Sequence, residues 1–126
     1  MIPLNGTTKD SYRMLFGTFL DPTSYVFDDC NKYSMMLCDL YFLEDGTNNG
    51  YVYITDSSKV SFEHITRMNP SGLKKNLHYI QEAAPIRIKG IHVINAPPAM
   101  ELFMNMTKPF MKKELLDLVN IINQLF

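Results

Sequence analysis

The sequence has no tryptophan, only two cysteines and almost no net charge, and each shortage narrows what the chain can be. Twelve basic against thirteen acidic side chains leave a charge of −1. No bulk field therefore draws the chain to nucleic acid, and any anion site has to be a local patch. Cys30 and Cys38 lie eight positions apart inside one apolar, helix-like run. They are two helical turns apart and cannot bridge there, so they read as buried thiols in a reducing compartment. No apolar run approaches the ~20 residues that span a bilayer, and the opening residues, Met1 to Asp10, lack the basic and apolar regions of a secretory leader. Catalytic motifs are missing as well. Ser57-Ser58 has no Gly-x-Ser-x-Gly elbow around it, and no Gly-rich loop opens a helix to hold phosphate. His64, His78 and His92, spaced by fourteen, fall on three different elements with no recurring carboxylate. They read as unrelated surface or half-buried side chains, and Asp56 as a cap or turn residue. The residues nominate no catalytic group, no metal and no cofactor.

What the chain does have is enough apolar content for one domain. Its 126 residues are 46% hydrophobic and 20% charged, which supports a single core. Nine Met beside eight Phe and seven Tyr make that interior soft, because Met fills irregular apolar space. Residues 12–20 read as a strand closed by Asp21-Pro22. Residues 28–43 are helical, with Cys30, Tyr33, Leu37 and Tyr41 on one stripe. After the turn at 45–50, residues 51–55 show no polar alternation and are expected to be buried on both faces, as in a parallel sheet. Ser61 caps a short helix to Met68, and Asn69-Pro70 stops it. Residues 71–83 form a second helix that ends at Pro85. Residues 86–95 form a strand whose inward phase slips at Gly90, which a bulge there explains. A final helical region is expected from Ala99 to about Ile122, kinked at Pro109. Strands alternating with helices make this α/β with a mainly parallel sheet and helices packed on it.

Two features carry possible function. Arg87 and Lys89 are two apart on a strand, so they share a side away from Ile86 and Ile88. They are either a solvated face or two cations converging on one phosphate. The last segment holds Met100, Phe103, Met104, Met106, Phe110, Met111, Leu115, Leu118, Val119 and Ile122. These cover more than one helical stripe, as core does, and as a lid meeting either a pocket or a bilayer would.

The order and spacing of several motifs resemble the CRAL-TRIO lipid-binding family, especially its tocopherol-transfer-like and retinaldehyde-binding-like branch. They are Leu43-Glu44-Asp45 before Asn49-Gly50, the strand ending at Asp56, Phe62 with His64, Asn69-Pro70 and Lys74-Lys75. Gln81-Glu82-Ala83, Pro85-Ile86-Arg87, Gly90-Ile91-His92-Val93-Ile94-Asn95 and Lys108-Pro109-Phe110 complete the set. The resemblance implies a protein that is not an enzyme. It implies binding and intermembrane transfer of a tocopherol- or retinoid-like lipid, with phosphatidylinositol bisphosphate recognised by Arg87 and Lys89, and a cytoplasmic, peripherally membrane-associated location. The implied pocket residues are Tyr33, Leu37, Tyr53, Thr55, Ile80, Ile86, Ile88 and Ile91, with Phe103, Met106 and Phe110 on a C-terminal amphipathic gate helix within 99–122. The chain departs from the family at Glu114 and Leu118, where further basic residues are common; Lys112 and Lys113 lie on a different face. By family standards residues 1–126 are a partial, truncated domain, without the preceding helical domain and the later part of the lipid domain. A non-transporting regulatory or scaffold module is the alternative, and an α/β hydrolase-like enzyme a weaker one.

Overall fold

The computed structural model describes residues 2–19, 21–46, 49–84 and 87–122. Five strands pair in chain order: β1 (Ile2–Pro3), β2 (Arg13–Thr18), β3 (Tyr51–Asp56), β4 (Ile88–Ile94) and β5 (Val119–Ile121). β1 runs antiparallel to β2, and every other pairing is parallel. Between the strands lie α1 (Phe27–Asp45), α2 (Phe62–Thr66), α3 (Pro70–His78), α4 (Ala99–Thr107) and α5 (Lys113–Leu116).

Local chemistry sets these boundaries. Asn69 caps α3 by accepting the Ser71 N–H at 2.9 Å, with Pro70 at the first helical position, where no N–H is needed. Gly46, at φ 62°, ends α1 and donates its N–H to the Phe42 carbonyl at 3.2 Å. At its far end α3 widens into a π-helical turn, Tyr79–Ala83.

Because parallel strands β2 to β5 follow one another in order, right-handed crossovers place all their helices on one side of the sheet. The packing agrees. Leu15 of β2 and Tyr51 of β3 are buried with Cys38 of α1, and Tyr53, Tyr41 and Phe42 pack around them. A second cluster ties the start of α1 (Phe27, Cys30) to Val60, Ile65 of α2, Met68, Leu73 of α3 and Ala99 and Phe103 of α4. The helices therefore form one layer. The opposite sheet face, with Met14, Phe16, Val52, Ile54 and His92, lies away from that layer, and only Val52 among these is buried. The expectation that residues 51–55 are buried on both faces holds at Tyr51 and Val52, which point to opposite faces and are both buried, and is corrected at 53–55, which are half-buried.

The helical region expected over 99–122 is also corrected. α4 stops at Thr107, a 3-10 turn spans Lys108–Phe110, α5 is one short turn, and Val119–Ile121 is a strand. Ile91 N–H donates to Leu118 O at 3.0 Å and Ile122 N–H to Val93 O at 2.8 Å. Pairing with the free edge of β4 thus outweighs the helical pattern of the local sequence.

Candidate functional site

The phase slip in β4 has a structural cause. Tyr51 pairs with Ile88 but Val52 pairs with Gly90, so Lys89 is an extra, bulged residue. The bulge keeps Ile88 and Ile91 on one face although they are three apart. Register places Tyr53 opposite Leu15 and Ile91, and Thr55 opposite Val93. The four expected pocket residues Tyr53, Thr55, Ile88 and Ile91 thus share the helix-covered face, and all are half-buried. Ile86 lies outside the described residues. Leu37, Ile80 and Phe110 are half-buried, whereas Tyr33 is 58% exposed on the outside of α1.

On α4, Ala99, Met100 and Met104 are buried, and Phe103 and Met106 pack against the cluster of Tyr25, Phe27, Val60, Ile65, Met68 and Leu73. The helix is shut on apolar side chains. An open cleft of about 290 Å³ beside this cluster is lined by Tyr25, Val26, Phe27, Asp28, Arg67 and Asn69, none of them expected pocket residues.

Arg87 and Lys89 are exposed at the N-terminal end of the parallel strands. The Arg87 carbonyl accepts the Tyr51 N–H at 2.8 Å. The Lys89 stem lies across Gly50, and its ammonium sits 5.8 Å from the centre of the Tyr12 ring. Only glycine fits at position 50: φ is 145°, and a Cβ there would fall 2.6 Å from Lys89 Cγ and 2.9 Å from Arg87 O. The crossover through α4 runs from the C-terminal ends of the strands back to this same end, because β5 is parallel to β4. It returns the chain through Lys108, Lys112 and Lys113 toward this end. Lys112 is held by an ion pair with Glu82.

The groups dismissed as catalysts in the sequence have local roles. Asp56 Oδ1 accepts the Ser58 N–H at 3.0 Å and lies 3.4 Å from Asn95 Nδ2; the backbone bond from Ser58 holds its carboxyl below the ordinary range. Ser57 is buried and donates to Ile94 O at 2.9 Å. His64 is fully buried, not half-exposed. Its Nδ1 accepts the Ser61 N–H at 3.1 Å, and its ring meets Tyr25 and Phe19 edge-on at 5.0 and 5.7 Å. The Ser61-x-x-His64 spacing is the readable signal, since the residue three after a cap can reach back to it. Among the described residues, no three His, Cys, Asp or Glu side chains are grouped to hold a metal.

Two phenols are tuned by the apolar layer. Burial pushes Tyr25 up to about 12. Burial, with Cys38 Sγ 4.0 Å from its hydroxyl, raises Tyr53 further. An unfolded chain ionises these phenols near pH 10, so the fold holds the neutral form. The associated stability is fully present below about pH 10 and is lost as the pH rises from there through about 12. Denaturant titrations across this window should show the decline, and Tyr25→Phe should make it shallower. A flat profile would contradict the buried placement of Tyr25.

The fold is an α/β sheet with its helices in one layer, on which the Met- and Phe-bearing α4 packs. Residues 2–125 match the CRAL/TRIO domain, and the chain belongs to that family. It is 34% identical over 64 residues to Clavesin-1 of Rattus norvegicus, covering 51% of this chain and 18% of that protein. Clavesin-2 of Homo sapiens is 32% identical over 66 residues, covering 52% and 20%. The alpha-tocopherol transfer protein-like protein of Pongo abelii is 33% identical over 72 residues, covering 57% and 21%. The matches span about a fifth of these relatives' length. The crystal structure of Sfh5 shares the fold, with a TM-score of 0.57 at 12% identity, over 96% of this chain and 46% of that one. No described helix is long and apolar enough to cross a membrane.

Proposed function

We propose that the chain binds a small hydrophobic ligand of tocopherol or retinoid type and transfers it between membranes, making and breaking no bond. The observation that carries this reading is α4, which packs Phe103 and Met106 on the apolar cluster of Tyr25, Phe27, Val60, Ile65, Met68 and Leu73, while Tyr53, Thr55, Ile88 and Ile91 share the helix-covered face of the sheet. Several hundred Å² of buried ligand surface, at roughly 25 cal/mol per Å², gives several kcal/mol of affinity. The Tyr53 hydroxyl and Thr55 offer polar contacts at the sheet.

In the same proposal, Arg87 and Lys89 read the phosphates of a phosphatidylinositol bisphosphate head group. Both are exposed, both lie at the end of the sheet to which the gate segment returns, and neither has an ion pair among the described residues. A basic residue near an anionic surface contributes about 1 kcal/mol. Arg87→Ala with Lys89→Ala should therefore weaken sedimentation with phosphatidylinositol bisphosphate vesicles roughly 30-fold, and high salt should act the same way. If the double variant binds such vesicles as well as the wild type, the head-group site lies elsewhere.

A second reading, a regulatory module that carries no ligand, is favoured by one observation: Phe103 and Met106 sit directly on the core cluster. A packed core with no room to open would look the same when shut.

A further inference from the structure

The π-helical turn Tyr79–Ala83 joins three elements at one point. The Tyr79 hydroxyl donates to Asp39 of α1. Gln81 uses its whole amide: Nε2 donates to Leu77 O at 3.1 Å and to Phe110 O at 3.0 Å, and Oε1 accepts the Lys112 N–H at 2.7 Å. Glu82 pairs with the Lys112 ammonium. Phe110 and Lys112 bracket the exit from the 3-10 turn after α4, where Pro109 supplies no N–H. Met111 is already extended there, at φ −101° and ψ 132°. The backbone at this break has few bonds of its own, and one side chain, Gln81, holds it on both sides. An α-helical turn would rotate Gln81 and Glu82 differently about the axis, so the π geometry is part of how both meet the same strand of chain.

We propose that Gln81 and Glu82 form a latch that holds the segment after α4 in its shut position and sets the rate at which the gate opens. Calling that motion a ligand gate rests on the carrier reading above, whereas the latch itself is a statement about the chain alone. In the latched state Phe110 to Lys112 is pinned to the π turn. When the latch opens, the segment pivots at Pro109 and takes the C-terminal end of α4 off the apolar layer. Gln81 is a positioning residue and touches no ligand in this scheme.

The test uses the full chain and two readouts. In Gln81→Leu, hydrogen exchange of the amides from Lys108 to Leu116 should accelerate roughly tenfold, the scale of losing two or three net hydrogen bonds in part. Amides of β3 and β4 should keep their protection. Transfer of a nitrobenzoxadiazole-labelled tocopherol to phosphatidylcholine vesicles should accelerate by a similar factor. Should Gln81→Leu lose its fold by circular dichroism, Glu82→Lys and Lys112→Glu serve instead. Each alone should speed exchange at 108–116, and the two together should restore the wild-type rate. Unchanged exchange in the folded variants, or no restoration in the charge-swapped pair, overturns the latch. Faster exchange with unchanged transfer also overturns it, since the contact then does not limit opening. Transfer by neither wild type nor variant, with exchange still faster, sinks the carrier reading and leaves the latch standing.

Discussion

Replacing Tyr51 by alanine is expected to cost about 3–5 kcal/mol of stability, the range for truncating a fully buried aromatic side chain. Tyr51 is 0% exposed, and its ring meets Phe42 edge-on at 4.9 Å. Its hydroxyl donates to Asp45 Oδ2 at 2.8 Å, while Arg13 Nη2 bonds Asp45 Oδ1 at 3.0 Å. The residue thus joins the sheet to the end of α1 by both packing and charge. Tyr51→Phe keeps the ring and leaves Asp45 bonded to Arg13, so its cost should be only about 1–2 kcal/mol. Urea denaturation of both variants separates the two contributions. A loss under 1 kcal/mol for the alanine variant would mean that β3 is not the centre of the core.

Phe103→Asp should be the second large effect, about 3 kcal/mol, because it sets a carboxylate against Tyr25, Ile65, Leu73 and their neighbours. If α4 is a gate, the loss is local. The helix leaves the layer, ligand transfer slows, and hydrogen exchange in β2, β3 and β4 stays slow. If α4 is simply core, the whole domain melts in one transition. Phe110→Asp provides the contrast. Phe110 is half-buried beyond the end of α4, so a charge there should leave the fold intact and act mainly on transfer. Circular dichroism beside exchange and transfer measurements tells these outcomes apart.

Much of this architecture is legible in the sequence. The helix at α1, the turn before Gly50, the apolar run of β3, the stop of α2 before Asn69-Pro70 and the phase slip beside Gly90 are local signals, and each sits where the chain places it; that Asn69 also caps α3 was not read. The misses share a different cause. β5 has only three residues, Val119–Ile121, inside a run whose apolar spacing also suits a helix. Only its bonds to β4 decide between the two, and they join residues far apart in the sequence. β1 is two residues long and carries no periodicity. Arg87 and Lys89 were legible as a pair, but the bulge makes Lys89 an extra residue, so strand alternation does not describe where they stand. Gln81 and Glu82 were legible only as parts of a motif. Their bonds to Phe110 and Lys112 cross about thirty positions of chain, and no local pattern announces them. Tyr53, Thr55, Ile88 and Ile91 share one sheet face because strand parity and the bulge put them there, whereas Tyr33 is exposed on α1 together with Met36, Leu40 and Leu43.

A carrier's shut apolar layer has to open and hold a hydrophobic molecule. The most direct measurement is mass spectrometry of organic extracts from the purified chain, beside the same extraction of Phe103→Asp. One reproducible class of small hydrophobic ligand is expected at a fixed ratio to the wild-type protein, and is expected to be lost from the variant. A folded wild-type chain that carries no such molecule, and takes up none from vesicles loaded with tocopherol or retinal, would contradict it.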